Sequence, residues 1–440
     1  MSAVGWSRPA IFHAVARSRC EANLLPLGGC EHTAEAAGST ELVACVCRRS
    51  GAGWTANRGD RLLCMQVVNE ADMTLDVINL SGSPSERGRA FGNLRRAQIR
   101  SWLDDWLESL ALAGISDARA YVRHFIRDTE FMPTIEAYAS DLLDELRAMA
   151  VGADIPFELL LAAQLMDEEW VYRKATRGSS LGDKCSSFAI RAASSKMWIG
   201  QNMDLDAFTD GHQLIVMTAA DGGNPATFVF TVGGLVALLG VNARRIAVCV
   251  NYLPQLPTST RGLPVAFVIR KALQSNTLDE AASFVKSVPH AVGQHYLMAD
   301  TSDIRSLEAS ATGVHQFSAG SDHVLHTNHP LAPANIALAD APNGANSQAR
   351  LSALTNRLGG SIPSLTELQA ALSSSDDPLN PVCRTPPSDA ERKRSTNVNG
   401  FTTGSVIMSL DRETPEIAAW VSKGPPSLRG YEEVHWHGTN

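Results

Sequence analysis

The sequence predicts an α+β protein in which two antiparallel sheets pack between layers of helix. Three observations carry this reading. From about residue 85 to residue 172, apolar side chains recur every three or four positions. Beyond residue 185 that spacing gives way to short β-rich runs broken by turn residues. A pair of helical runs then separates one set of strands from another, and further helices and strands close the chain. The change of character near residue 185 divides the body into a mainly helical segment, 73–184, and a strand-rich segment, 185–440.

Each element has its own signal. Leu75, Val77 and Leu80 mark a short strand, and residues 85–112 read as a helix with Trp102, Trp106, Leu107 and Leu110 on one face. Residues 121–131, 133–150 and 156–172 continue in helical register, with Ile135, Tyr138, Leu142, Leu143, Leu146 and Met149 forming one stripe. Residues 188–191 and 197–202 form a hairpin about a turn at 193–195. Strands follow at 214–219, 227–232 and 246–253. A helix spans 264–273, and another starts at Thr277, where Glu280 completes a capping box. Strands return at 296–299 and 306–309, then helices at 346–358 and from Ser364, whose box partner is Glu367. Strands at 403–410 and 416–421 end the pattern, and His435 and His437 read as a surface tail.

The 440 residues suffice for a large core. Hydrophobic content of 44% and charged content of 19% are those of a globular protein. A net charge of −8, with no basic stripe, argues against nucleic acid as a partner. No apolar run reaches the length of about 18 residues that a membrane helix needs. Five of the 8 cysteines (Cys20, Cys30, Cys45, Cys47 and Cys64) precede the regular part of the chain. Cys185, Cys249 and Cys383 are scattered through a body too large to need disulfides, which reads as cytoplasmic. Cys45-Val46-Cys47 lacks the spacing of a zinc or redox pair. Residues 1–72 carry little periodicity and read as a disordered or misannotated extension, with Met65 or Met73 as an alternative start.

The chemistry concentrates in a few stretches. Asp183-Lys184-Cys185-Ser186-Ser187-Phe188-Ala189-Ile190 follows a polar, glycine-bearing run and leads into a strand, and Gly200-Gln201-Asn202-Met203-Asp204 follows it. Upstream lies Ser81-Gly82-Ser83-Pro84-Ser85-Glu86-Arg87-Gly88. Downstream lie Gly240-Val241-Asn242, the strand through Asn251, and His326-Thr327-Asn328-His329. In order and spacing these pieces resemble the penicillin acyltransferase-like family (isopenicillin N acyltransferase, peptidase C45) of N-terminal-nucleophile (Ntn) hydrolases, from about Thr74 to the C-terminus. The resemblance implies a four-layer αββα sandwich. It implies cleavage between Lys184 and Cys185 and a heterodimer of the two fragments, with the helical segment as the small subunit. Cys185 becomes the nucleophile. Asp204 holds its α-amino group, Ser187 supplies a nearby hydroxyl, and Asn328 matches the catalytic asparagine. Lys184 stands where the family often carries glycine. Where the family can place an arginine just before the late Thr-rich strand, this chain has Val398-Asn399-Gly400, with Arg394 displaced upstream; the chain either lacks an arginine shaping the substrate site or recruits another, such as Arg350.

The residue types suit acyl transfer. A thiol needs a base to attack a carbonyl. A free α-amino group titrates at about 7.7–8.0 and is such a base, whereas an amide nitrogen is not. A tetrahedral oxyanion needs fixed donors, and Asn328 and Asn251 are the candidates. Asn251 interrupts an apolar strand, where a buried amide needs a reason.

Other readings stay open. Cys185 also reads as a buried structural cysteine, Asp204 or Asp206 as a turn cap, and Asn251 as a strand-end amide. His326 and His329 have no evident third ligand, so no metal and no cofactor is called for. Gly178-Ser179-Ser180-Leu181-Gly182 fits a serine nucleophile elbow by letter. Its helix-before, strand-after context is the reverse of that elbow. The function expected is an autoprocessed cysteine amidohydrolase or acyltransferase, working through a thioester on a small acyl amide, with acyl-CoA or an amine as second substrate. The alternatives are an unprocessed binding protein on the same scaffold and a serine hydrolase using Ser180.

Overall fold

The structure is a computed structural model that describes residues 75–177, 185–317, 322–339, 344–387 and 400–438. It also describes the backbone of two short strands, β1 (Val43–Ala44) and β2 (Met65–Gln66), which pair antiparallel. Those strands belong to a first unit, Met1–Thr74, and everything below to a second, Leu75–Asn440. Apart from β1 and β2, the expected extension lies outside the described residues, as do Ser180, Lys184 and Arg394.

The second unit opens with β3 (Val77–Leu80). Six helices follow: α1 (Pro84–Leu94), α2 (Arg96–Leu112), α3 (Ala118–Asp128), α4 (Phe131–Ala153), α5 (Phe157–Ala163) and α6 (Met166–Arg177). Ser83 caps α1 in a full capping box with Glu86, so the Ser-Pro-Ser-Glu stretch is a helix start. The run 85–112 is two helices, because Arg95 leaves helical geometry (φ −117°, ψ 22°) while its N–H still reaches Phe91 O. The run 156–172 also divides. Gln164 turns its side chain to Leu160 O and Gly234 O and accepts from Val236 N–H, which ends α5.

Strand succeeds strand after Cys185: β4 (Ser186–Ala193), β5 (Lys196–Asp206), β6 (Gln213–Thr218), β7 (Thr227–Val232), β8 (Leu239–Asn242) and β9 (Ala247–Tyr252). The helix pair is α7 (Val265–Ala272) and α8 (Leu278–Ser287). Thr277 caps α8 as expected, but Glu280 reaches back to Asn276 N–H. Then come β10 (Gln294–Ala299), β11 (Ile304–Ser310), β12 (Gly313–Gln316), β13 (His323–His326), α9 (Pro333–Leu338), α10 (Ala345–Leu358) and α11 (Leu365–Leu372). The chain closes with β14 (Gly400–Asp411), β15 (Ile417–Ser422), a short helix, α12 (Pro426–Arg429), and β16 (Glu432–Trp436).

One sheet runs β12-β11-β10-β9-β8-β7-β6-β3 and the other β13-β4-β5-β14-β15-β16. Every pair in them is antiparallel except the edge pair of β3 with β6. That pair is parallel because β3 arrives from before the helical segment, a crossover long enough for parallel pairing. The expected C-terminal tail is corrected: Glu432–Trp436 is an edge strand on β15. Trp436 is 2% exposed against the Phe228 ring, which withdraws an indole from water.

The sheets face each other through β4 and β5 on one side and β9 and β10 on the other. Leu354, Leu358, Leu368 and Leu372 of α10 and α11 cover the outer face of the smaller sheet at Phe188, Trp198 and Ile407. The α7–α8 pair covers the larger sheet, and α4 joins that layer through Lys271 to Asp141. The order helix, sheet, sheet, helix is the four-layer sandwich expected. No helix among the described residues is long and apolar enough to cross a membrane.

Helices α1 and α4 touch backbone to backbone. A Cβ added at Gly88 would lie 1.9 Å from Glu145 O, and one at Gly92 2.3 Å from Met149 O. Beside this seam Arg87 is buried against Glu145, a pair that loses its register if the helices part. Gly88→Ala is therefore expected to cost about 1–3 kcal/mol by overpacking. A urea melt whose midpoint matches wild type would show that the helices do not approach this closely.

Candidate active site

Cys185 stands immediately before β4, at the end of the sheet-to-sheet interface, and is 7% exposed. In the β4–β5 hairpin Ser186 pairs with Asn202, so Met203 falls opposite Cys185 and Asp204 one step beyond. Successive strand side chains alternate faces. Cys185 and Ser187 thus share the face toward β9, while Ser186 points to the helix side. Cys249 on β9 lies close enough to Cys185 that its thiol is pushed far up, first by burial and then by that neighbour.

Arg350 of α10 ties the site together. It is 1% exposed. Nη1 donates to Cys185 O at 2.6 Å and to Ser186 Oγ at 2.9 Å, Nη2 to Asn328 Oδ1 at 2.8 Å, and Nε to Asn346 Oδ1 at 2.9 Å. Burial pulls its pKa down to about 10, against the opposing pull of Asp204 and Cys185. The guanidinium spends its donors inside the protein, on the chain at the strand start.

Asn328 is held on every side. Its Nδ2 donates to Tyr252 O at 2.9 Å, its N–H to Ser347 Oγ at 2.7 Å, and its carbonyl accepts from Gln255 Nε2. Asp204 Oδ1 accepts from Thr402 Oγ1 at 2.6 Å, across the β5–β14 pair where a bulge follows Thr402. Gln201, on β5, brackets Val250 with bonds to its N–H and its carbonyl. That bracket stands where β8 has stopped pairing with β9.

Ser187 Oγ donates to Asn251 Oδ1 at 2.6 Å. The Asn251 side chain is fully buried, and among the described residues its Nδ2 has no hydrogen-bond partner. Behind it lies a buried chain of which the sequence singled out only His326. His295 Nδ1 meets Asn251 Oδ1 at 3.0 Å, and its Nε2 meets Ser306 Oγ at 2.8 Å. The His295 ring stacks on His326, with centroids 3.6 Å apart. His326 Nε2 meets Glu308 Oε1 at 2.9 Å and Nδ1 meets Thr327 O at 2.7 Å. Burial pushes the Glu308 carboxyl up, yet the bonds from His326, Leu331 and Asn335 leave it below its ordinary value. His295 and Glu308 sit singly in strands of ordinary pattern, and only the pairing of β9, β10 and β11 brings them beside Asn251.

The residues singled out in the sequence thus gather around one strand start. Cys185, Asn328 and Arg350 share one guanidinium, Ser187 and Asn251 share one hydrogen bond, and Asp204 lies on the adjoining strand. Lys184 lies outside the described residues. Among the described residues no three His, Cys, Asp or Glu side chains form a metal cluster, and His326 and His329 are instead held by Glu308 and Ser347.

A small, mainly apolar cavity of about 40 Å³ is walled by Leu205, Leu238, Val250, Val265 and Ile269. Its acid is Asp167 of α6, which shows part of its surface to the cavity and accepts from Gln294. Asp167, Glu168 and Glu169 follow one another. Burial raises all three; the charge of Asp167 adds to Glu168, and Arg173 and Tyr121 hold Glu169 to about 7.

A cysteine at the start of a central strand, an aspartate one hairpin away and buried amides opposite thus stand within the four-layer αββα sandwich that the sequence predicts. The profile of the family described as "Acyl-coenzyme A:6-aminopenicillanic acid acyl-transferase" matches residues 191–396. The match spans less than half of the chain, and over that segment the chain is similar to this family. The "Acyl-coenzyme A:6-aminopenicillanic-acid-acyltransferase 40 kDa form" of Emericella nidulans is 23% identical over 256 residues, 58% of this chain and 69% of that one. Among solved structures, an N-acylethanolamine-hydrolyzing acid amidase ortholog from Caenorhabditis elegans is 16% identical, with a TM-score of 0.35 over 51% of this chain and 92% of that one. A conjugated bile acid hydrolase from Clostridium perfringens is 13% identical, with a TM-score of 0.38 over 57% and 97%.

The acids of α6 predict how stability varies with pH. Unfolded carboxyls of this type titrate near 4, whereas the buried ones keep their protons to about 7. The folded chain therefore binds more protons in that window, and stability is lost as pH rises through it. Glu168 Oε1 accepts from Val265 N–H, a bond that glutamine retains. Glu168→Gln is expected to flatten the fall in Tm between about pH 5 and pH 8. A mutant curve parallel to wild type would remove Glu168 from the effect.

Proposed function

We propose that the chain cuts itself between Lys184 and Cys185 and then works as an N-terminal-cysteine amidohydrolase or acyltransferase on a small N-acyl compound. The observation that carries this reading is the convergence at Cys185. Its carbonyl is held by Arg350, which also holds Asn328, and the hydroxyl two residues on is bonded to Asn251, whose Nδ2 is uncommitted.

In the first step the Cys185 thiol attacks the Lys184 carbonyl. The C–N bond breaks, the nitrogen of Cys185 takes a proton and becomes a free amine, and the acyl group passes to sulfur. Water then cleaves that thioester. The sulfur is left beside its own base, since a free α-amino group titrates near the working pH, at about 7.7–8.0. Asp204 orients that amine.

In turnover the amine takes the thiol proton as sulfur attacks the substrate carbonyl. It returns the proton to the departing amine, and a thioester remains. Water or a second amine resolves it, which is the difference between hydrolysis and transfer. Asn251, with an amide that has donors to spend, is the better oxyanion donor, and Asn328 supports the same space. Arg350 acts by clamping the strand start, a use its buried geometry fits better than substrate contact. The name of the Emericella nidulans relative points to acyl-CoA and an amine as donor and acceptor.

Mass spectrometry of the purified protein tests the reading. Wild type is expected as two fragments divided between residues 184 and 185, and Cys185→Ala as one inactive chain. An unbroken chain with full amidase activity would overturn the self-cleaving nucleophile. A single chain without activity on a panel of N-acyl amides and acyl-CoA thioesters favours a binding protein instead.

Asp204→Asn keeps the bond from Thr402 but loses the charge beside the amine. Its turnover is expected to fall by about 10²-fold or more, the scale of a lost acid–base partner, with Tm little changed. Wild-type rates in that variant would take Asp204 out of the mechanism.

A further inference from the structure

An asparagine amide has nearly the same shape with its oxygen and nitrogen exchanged, so its partners decide which end faces a site. For Asn251 the deciding partner is a side chain from the next strand. His295 is its direct partner in the β9–β10 ladder, and His295 Nδ1 lies 3.0 Å from Asn251 Oδ1. The Ser187 hydroxyl can donate or accept and so enforces neither orientation. His295 can enforce one, provided its hydrogen sits on Nδ1.

The surroundings accommodate that hydrogen. On the far side of the ring, Nε2 meets Ser306 Oγ, a hydroxyl able to donate to it. The ring face is stacked on His326, whose two nitrogens meet the Thr327 carbonyl and the Glu308 carboxylate. Burial, followed by the same neighbour, holds the pKa of His295 well below the ordinary value. Glu308 is itself anchored by Leu331 N–H, Ala332 N–H and Asn335 Nδ2, so the stack cannot drift.

We propose that His295 is a positioning residue: its Nδ1–H turns the Asn251 carbonyl inward and leaves Nδ2 available at the edge where Cys185 stands. This rests on Asn251 being an oxyanion donor in the reaction above. His295 touches no reacting atom and works through Asn251 alone. Without it the amide is free to reverse, and a lone pair would then face the developing negative charge.

The test is a kinetic cycle on the processed enzyme, using the N-acyl amide that wild type turns over fastest. Asn251→Ala is expected to lose about 10²–10³-fold in kcat, the scale of one lost oxyanion donor. His295→Leu should lose at least about 10-fold in kcat with KM little changed, since orientation is lost but not binding. In the Asn251→Ala background His295→Leu should cost nothing more. His295→Asn places a donor where Nδ1 was and should restore most of kcat, whereas His295→Gln, which mimics the other nitrogen, should not. This last pair decides the matter even if the leucine variant folds poorly. Wild-type kcat in His295→Leu alongside a slow Asn251→Ala would overturn the positioning role and leave the oxyanion assignment intact. So would a glutamine variant faster than the asparagine one. A fast Asn251→Ala would instead remove Asn251 from the reaction and this proposal with it.

Discussion

A buried guanidinium organises this protein. Arg350 carries its charge into an interior where an unpaired cation is costly, so each donor must find an acceptor that holds still. The acceptors it finds are the carbonyl of Cys185, the hydroxyl of Ser186 and the amides of Asn328 and Asn346. Those groups come from three separate parts of the chain. One buried charge thus fixes the strand start, the loop after β13 and the first turns of α10 relative to one another. The planar fork suits the task because its hydrogen bonds are pre-set in direction.

The polar layer between the sheets follows the same logic. Ser187, Asn251, His295, Ser306, His326 and Glu308 are all buried, and almost every polar atom among them is matched. Such a network rigidifies a site when satisfied and is costly when it is not. The exception is Asn251 Nδ2. A lone unspent donor inside a matched network is the arrangement suited to an oxyanion that exists only during reaction.

The helical segment 75–177 is joined to the strand-rich part by contacts that do not depend on the peptide link between them. Glu145, already paired with Arg87, reaches Arg270, Lys271 meets Asp141, and Gln164 is bonded to the loop after β7. Helix α6, which leads toward Cys185, instead packs three adjacent acids inward, and burial leaves them reluctant to ionise. Its hold weakens as pH rises, while the glycine seam of α1 and α4 does not titrate.

The sequence by itself determined the layered α+β architecture, because helical and strand periodicities each record which faces are buried. It also determined the stretch holding Cys185, since Cys185-Ser186-Ser187, Gly200 to Asp204 and His326 to His329 are local strings. Tertiary structure decided the rest. The breaks at Arg95 and Gln164, the parallel edge strand β3 and the strand at Trp436 depend on partners far along the chain, which local spacing does not encode. His295 and Glu308 belong to this second class. A strand residue acquires its neighbour from the sheet register, and the register of β9, β10 and β11 follows from the summed packing of the whole sandwich.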